Sequence, residues 1–342
     1  MDSLTQIVLG AAVGEAVAGR KLGNKALLWG AIVGTIPDLD VLVNPLLDMV
    51  GQLSFHRSVT HSFFFAIIAS PLLGWMLWRL YKNEHATFRD WTLLFFLGFT
   101  THAILDSFTT WGTQLFWPFT NYGVAFYNIF VVDPLYTVPF LICVIAVMFY
   151  DRRNPKRQRW NNAGLIISSL YLVFSFGAQT YAKSVFKQSL DAQGIRYESQ
   201  IVKATPMNTL LWSVTAAAED GFYNGFYSLL DRDQNIRYNF EPRQEQLLET
   251  YRGQPKMERL LQITKGYHAV EKATEGVHIK DLRFGQFDGW QQGKGQYVFV
   301  YHVWHHDDGT LRFKELNNRP KINSDYLKAY LHRILGNKDQ TL

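Results

Sequence analysis

Asp151-Arg152-Arg153-Asn154-Pro155-Lys156-Arg157-Gln158-Arg159 stands between two long apolar runs, residues 130–150 and 163–182. Five fixed positive charges beside spanning-length apolar segments mark a cytoplasmic membrane loop, because Lys and Arg near helix ends set topology. Residues 62–80 and 91–108 also meet the requirement of about 20 mostly apolar residues for a helix to cross the hydrocarbon layer. Residues 4–19 and 26–36 are shorter and rich in glycine and alanine. Small residues let helices approach closely, so this pair reads as a tight helical hairpin joined by the basic turn 20–25. With 151–159 inside, alternation places 20–25 and 81–90 inside as well, and 42–61 and 109–129 outside.

The expected fold is an all-α multipass membrane domain of about six helices over residues 1–183, followed by a soluble α+β domain over 184–342 outside the cytoplasm. In that second domain, 210–217 and 222–230 flank Glu219, Asp220 and Gly221 as strand, turn, strand. Residues 296–304 and 311–316 flank Asp307, Asp308 and Gly309 in the same way, and 243–264 has helical character. The near-zero mean hydropathy of −0.08 averages two unlike halves. The net charge of +5 is explained by the membrane loop, so no nucleic-acid partner is expected. Cys143 is the only cysteine, which excludes an intrachain disulfide and a thiolate zinc site. The chain opens with Asp2 and no basic stretch, so the first helix is expected in the mature protein.

Three clusters of metal-ligand type lie in the membrane half: Pro37-Asp38-Leu39-Asp40, His56-Arg57-Ser58-Val59-Thr60-His61-Ser62, and His102-Ala103-Ile104-Leu105-Asp106. The topology above brings all three to the outer face, although none was used to set it. His102 and Asp106 are four apart and share a helix face. His56 and His61 are five apart, so His56 is expected in the loop before the helix, and Asp38 and Asp40 in irregular backbone after Pro37. Polar residues at helix ends also serve as interfacial anchors or caps, but ionisable groups at membrane depth are costly and tend to be functional. Asp38, Asp40, His56, His61, His102 and Asp106 therefore read as ligands for one or two divalent ions. Carboxylate and imidazole without thiolate does not separate zinc from manganese.

Around them, Arg57 is placed to hold an anionic substrate group or a lipid headgroup, and Thr60 to hold substrate, orient a ligand or bond a backbone carbonyl. Gln6 could bond a ligand or bound water, and Asp133 is either a supporting residue or the N-cap of the fifth helix. Glu15 sits near the other end of the first helix, where structural pairing is expected. His302, His305, His306, Asp307 and Asp308 resemble a second metal cluster, but Asp-Asp-Gly is ordinary hairpin chemistry.

Met1-Asp2-Ser3-Leu4-Thr5-Gln6 together with these three motifs resembles the bacterial inner-membrane metal-dependent hydrolase family, also described as LexA-binding. The likeness covers roughly the first 180 residues. It implies a multipass inner-membrane hydrolase with Asp38, Asp40, His56, His61, His102 and Asp106 as metal ligands, and a link to LexA and the SOS response. Many members have histidine where this chain has Gln6. The function expected is hydrolysis of a lipid or lipid-linked phosphoester at the outer face, with Asp38, Asp40, His61 and Asp106 as catalytic residues around metal-activated water. Membrane lipids are the expected partners. A transporter would place its ligands near the midplane with access from both sides. A regulatory or scaffold protein would use the metal structurally and bind its partner through the external domain.

Overall fold

The computed structural model describes residues 1–291, 295–316 and 322–338. Chain contacts divide it into two units, Met1–Leu46 with Ser54–Ser175 and Pro206–Asn208, and Leu47–Leu53 with Phe176–Thr205 and Thr209–Leu342.

The first unit is helical. Helix α1, Ser3–Leu22, starts at Asp2, whose carboxylate accepts from Thr5 N at 3.1 Å, and turns at Gly23 into α2, Asn24–Thr35. The hairpin is held backbone against backbone. A Cβ at Gly10 would lie 2.3 Å from Gly30 O, and one at Gly34 2.4 Å from Gln6 O. No side chain fits at those crossings.

After α2 the chain tightens into a 3-10 helix, Ile36–Leu46, carrying Asp38 and Asp40. The irregular backbone expected there is replaced by this continuation, which makes Asn24–Leu46 long enough to span a membrane. Helix α3, Met49–Phe55, occupies part of the expected outer loop, and its residues 49–53 belong to the second unit. A short 3-10 turn, Val59–His61, leads into α4, Phe63–Leu80, capped by Ser62 Oγ, which accepts from Phe65 N at 3.0 Å. Thr87 and Asp90 form a reciprocal capping box on α5, Phe88–Ser107. Asp133 caps α6, Pro134–Met148, by accepting from Leu135 N and Tyr136 N.

Helix α7, Pro155–Ala192, runs well past the expected end at residue 182. Its extension carries Val185, Phe186 and Leu190, all buried in the second unit, an apolar stripe diluted by lysine and serine. Three described helices are long and apolar enough to cross a membrane, Asn24–Leu46, Phe63–Leu80 and Pro155–Ala192; Pro134–Met148 is apolar but shorter. Ile67, Leu72 and Trp75 on α4 and Ile166, Leu170 and Val173 on α7 are exposed, as a lipid-facing surface requires.

The second unit contains two antiparallel four-stranded sheets, each in sequence order. The first comprises β1 (Ser199–Ala204), β2 (Leu211–Ala217), β3 (Gly221–Ser228) and β4 (Asn239–Pro242). The second comprises β5 (His268–Lys272), β6 (Val277–Gln286), β7 (Tyr297–His305) and β8 (Leu311–Leu316). The two expected hairpins are β2–β3 and β7–β8. Residues 243–264 are less helical than expected: a 3-10 turn, Glu245–Leu248, is separated from α8, Pro255–Ile263, by Gly253 at φ +83°. Helix α9, Ser324–Ile334, packs Tyr330 and Ile334 against Leu211.

Candidate metal centre

Four side chains from three segments meet at one point. Asp38 comes from the 3-10 helix after α2, His61 from the turn before α4, and His102 and Asp106 from the last two turns of α5. One ligand atom of each lies within 4.8 Å of all the others, and no other such group of three or more occurs among the described residues. His61 Nε2 is 3.1 Å from His102 Nε2, 3.4 Å from Asp38 Oδ1 and 3.4 Å from Asp106 Oδ2. His102 Nε2 is 3.5 Å from Asp38 Oδ1 and 3.8 Å from Asp106 Oδ2. A tetrahedral zinc site with bonds of about 2.0–2.1 Å has ligand–ligand edges of about 3.3 Å, close to these five spacings.

The proton positions follow from the opposite ring nitrogens. His102 Nδ1 is 2.8 Å from Gly34 O, and a carbonyl only accepts, so Nδ1 carries the hydrogen and Nε2 a bare lone pair. His61 Nδ1 is 3.1 Å from Thr60 Oγ1, whose hydroxyl is 3.0 Å from Pro37 O. The Thr60 proton goes to that carbonyl, so Thr60 accepts from His61 Nδ1, which in the neutral ring leaves the lone pair on His61 Nε2. Metal-binding histidines are typically oriented in this way, by donating the second ring N–H to an oxygen.

Asp106 completes the set. Its Oδ1 accepts from Gln6 Nε2 at 2.8 Å and contacts the Met1 amine. Arg57 Nε lies 2.9 Å from Oδ2 as an ion pair. That N–H is not directed along a hydrogen-bonding line, so Arg57 Nε and Asp106 Oδ2 are both buried without a hydrogen-bond partner. Four acceptor atoms thus converge with no donor among them. Buried polar atoms rarely remain unsatisfied, and a divalent cation fits this donor set.

Asp40 and His56 stand one layer further out. Asp40 Oδ1 is 3.0 Å from His56 Nδ1, and Oδ2 accepts from Arg57 N at 2.9 Å. His61 Nδ1 is 3.7 Å from Asp40 Oδ2, beyond a hydrogen bond. Arg57 adopts φ +59°, a conformation that costs a non-glycine residue about 1–3 kcal/mol and here aims its N–H at Asp40. Its Nη1 donates to Thr109 Oγ1 at 2.7 Å, and Gln114 N holds its carbonyl at 2.9 Å. Only Asp38 and His56 open to solvent, at 22% and 24% exposure of their side chains; His61, His102 and Asp106 are sealed.

Thr60 works through His61, and Gln6 through Asp106. Asp133 caps α6 and accepts from Tyr171 Oη at 2.9 Å. Glu15 is paired with Arg157 at 2.6 Å. His302 Nε2 donates to Glu275 O at 2.6 Å, and His306 meets Asp308 at 3.4 Å on the exposed hairpin; neither joins a three-residue cluster among the described residues. The sequence reading passed over Thr109 and the Gly34 carbonyl. Thr109 sits one turn beyond Asp106, a readable signal, whereas a backbone acceptor leaves no mark in residue identity.

Residues 1–182 match the YdjM inner membrane protein family. Among curated proteins, the chain is 23% identical over 237 residues to the uncharacterized protein YfhP of Bacillus subtilis, covering 66% of this chain and 68% of that one. It is 29% identical over 114 residues to the inner membrane protein YbcI of Escherichia coli, covering 33% of this chain and 64% of that one. No solved structure matches. The family match takes in every residue of the four-atom cluster and the layer around it, and the chain belongs to the YdjM inner membrane protein family, the group its motifs resemble.

Proposed function

We propose that this protein is a membrane-bound hydrolase using one divalent ion, zinc by the spacing of its donors, held by Asp38, His61, His102 and Asp106. The observation that carries the reading is the convergence of four ligand atoms, two of them imidazole nitrogens on rings oriented by Gly34 O and Thr60 Oγ1. A divalent ion there supplies Lewis acidity and lowers the pKa of water it binds.

The chain's own groups supply the rest. Asp40 holds His56 through Nδ1, which leaves His56 Nε2 bare at the open side of the site, placed to take a proton from water and return it to a leaving group. Arg57 fixes Asp106 and offers Nη2, which has no hydrogen bond among the described residues, to an anionic oxygen. Asp38 and His56 form the solvent-facing rim. An anionic ester entering from a membrane surface suits that rim, and a lipid or lipid-linked phosphoester is the substrate class proposed. The basic loop 151–159 is assigned to the cytoplasm and the metal centre to the opposite surface; a cytoplasmic signal from a C-terminal reporter would contradict that topology.

Elemental analysis of the detergent-purified chain tests the core of the reading. The expected result is one equivalent of metal, absent from monodisperse His61→Ala and Asp106→Ala. Turnover of phosphatidic acid or a polyprenyl diphosphate should then fall in His56→Asn with metal content intact. An absence of metal after reconstitution with zinc and manganese overturns the proposal. Bound metal without turnover of any ester favours the carrier or scaffold reading.

A further inference from the structure

A cleft of about 450 Å³ lies at the other end of the helical unit, between the last turns of α1, residues 152–154 and the start of α7. Along α1 it is about 20 Å from the level of Gln6, at 1.5 Å per residue. Both carboxylates lining it are engaged, Glu15 with Arg157 at 2.6 Å and Asp90 with Lys21 at 2.6 Å. Three other cations lining it form no ion pair among the described residues, although the Glu84 carboxylate acts on Arg152 at longer range. Arg20 donates to the neutral Gln158 Oε1 at 2.5 Å, and Arg152 to the Lys21 carbonyl at 3.0 Å. Arg153 is exposed and makes no hydrogen bond or ion pair among the described residues. On the floor, Asn161 is 2% exposed and donates Nδ2 to Ala12 O at 3.0 Å, while its Oδ1 is buried without a partner. The cleft therefore presents unbalanced guanidinium charge beside an acceptor in need of a donor.

We propose that this cleft binds the headgroup of an anionic glycerophospholipid, with the phosphate on Arg20, Arg152 and Arg153 and a headgroup hydroxyl donating to Asn161 Oδ1. Guanidinium groups match phosphate oxygens in pairs, and basic pockets between membrane helices are suited to such headgroups. Glycerol phosphate shares the headgroup chemistry but not the chain.

Native mass spectrometry of the full chain in detergent, titrated with phosphatidylglycerol, phosphatidylcholine or glycerol 3-phosphate, separates these. The wild type should retain phosphatidylglycerol over phosphatidylcholine. Arg152→Ala/Arg153→Ala, eluting monodisperse, should bind phosphatidylglycerol about 25-fold more weakly, about fivefold per basic residue at an anionic surface, with phosphatidylcholine unchanged. Equal phosphatidylglycerol retention by wild type and double variant overturns the site. Full displacement by equimolar glycerol 3-phosphate overturns the lipid assignment in favour of a soluble anion.

Discussion

Two buried polar clusters sit in the helical unit, and they handle their charge in opposite ways. At one end, Glu15 receives Arg157 through both oxygens, at 2.8 and 2.6 Å, and the remaining guanidinium donors reach Asn24 Oδ1, Val147 O and Tyr150 O. Donors and acceptors there are matched within the protein. At the other end, Asp38, His61, His102 and Asp106 aim lone pairs at one another with no hydrogen between them. Both clusters are buried and both contain carboxylates, so neither burial nor charge separates a structural pair from a ligand site. The donor–acceptor balance does.

Removing any of the four inner residues should have the largest effect. His102→Ala should lose bound metal altogether and with it the stabilisation that metal confers, about 2.7 kcal/mol at a hundredfold excess over Kd, read as a vanished metal-dependent rise in Tm. Retention of metal by that variant would erase the contrast. Arg157→Ala should instead leave metal content untouched and cost about 3–5 kcal/mol, because it strands a buried carboxylate; thermal unfolding in detergent measures it. Thr60→Val keeps the shape but removes the acceptor for His61 Nδ1, and should weaken metal affinity about 10–100-fold, read by competition with a chelator.

A buried lysine in the second unit has neither a matched partner nor a ligand cluster around it among the described residues. Lys203 on β1 is 6% exposed with no ion pair among the described residues. Burial pushes its ammonium down to about 7, against the pull of Asp281. Between pH 7 and the ordinary lysine range the unfolded chain binds the extra proton, so stability rises with pH by at most about 1.4 kcal/mol per unit. Lys203→Met should flatten that rise in pH-dependent denaturation. The smallest effect is expected at Asp133→Ala, which loses a helix cap worth about 1 kcal/mol and should not change metal content.

The clustering of the four inner residues was legible because His102 and Asp106 repeat at helical spacing and topology gathers the three motifs. The α1–α2 contact was readable from glycine and alanine. Sequence could not separate the four inner atoms from Asp40 and His56, since that depends on the 3-10 path after Pro37 and on the left-handed turn at Arg57. Strands β1 and β4–β6 escaped notice because polar residues occupy buried positions, such as Lys203 and Asp281, and because a bulge breaks the alternation in β6. The run of α7 beyond residue 182 was hidden by lysine and serine between its apolar positions.

The crossing at Gly34 has a reach beyond packing. Its Cα is pressed against α1, and its carbonyl oxygen is the acceptor that fixes His102. The spacing between two helices is thereby converted into the angle at which an imidazole presents its lone pair. A wedge of one methyl group at that crossing is therefore expected to move the His102 ring as well as the two helices.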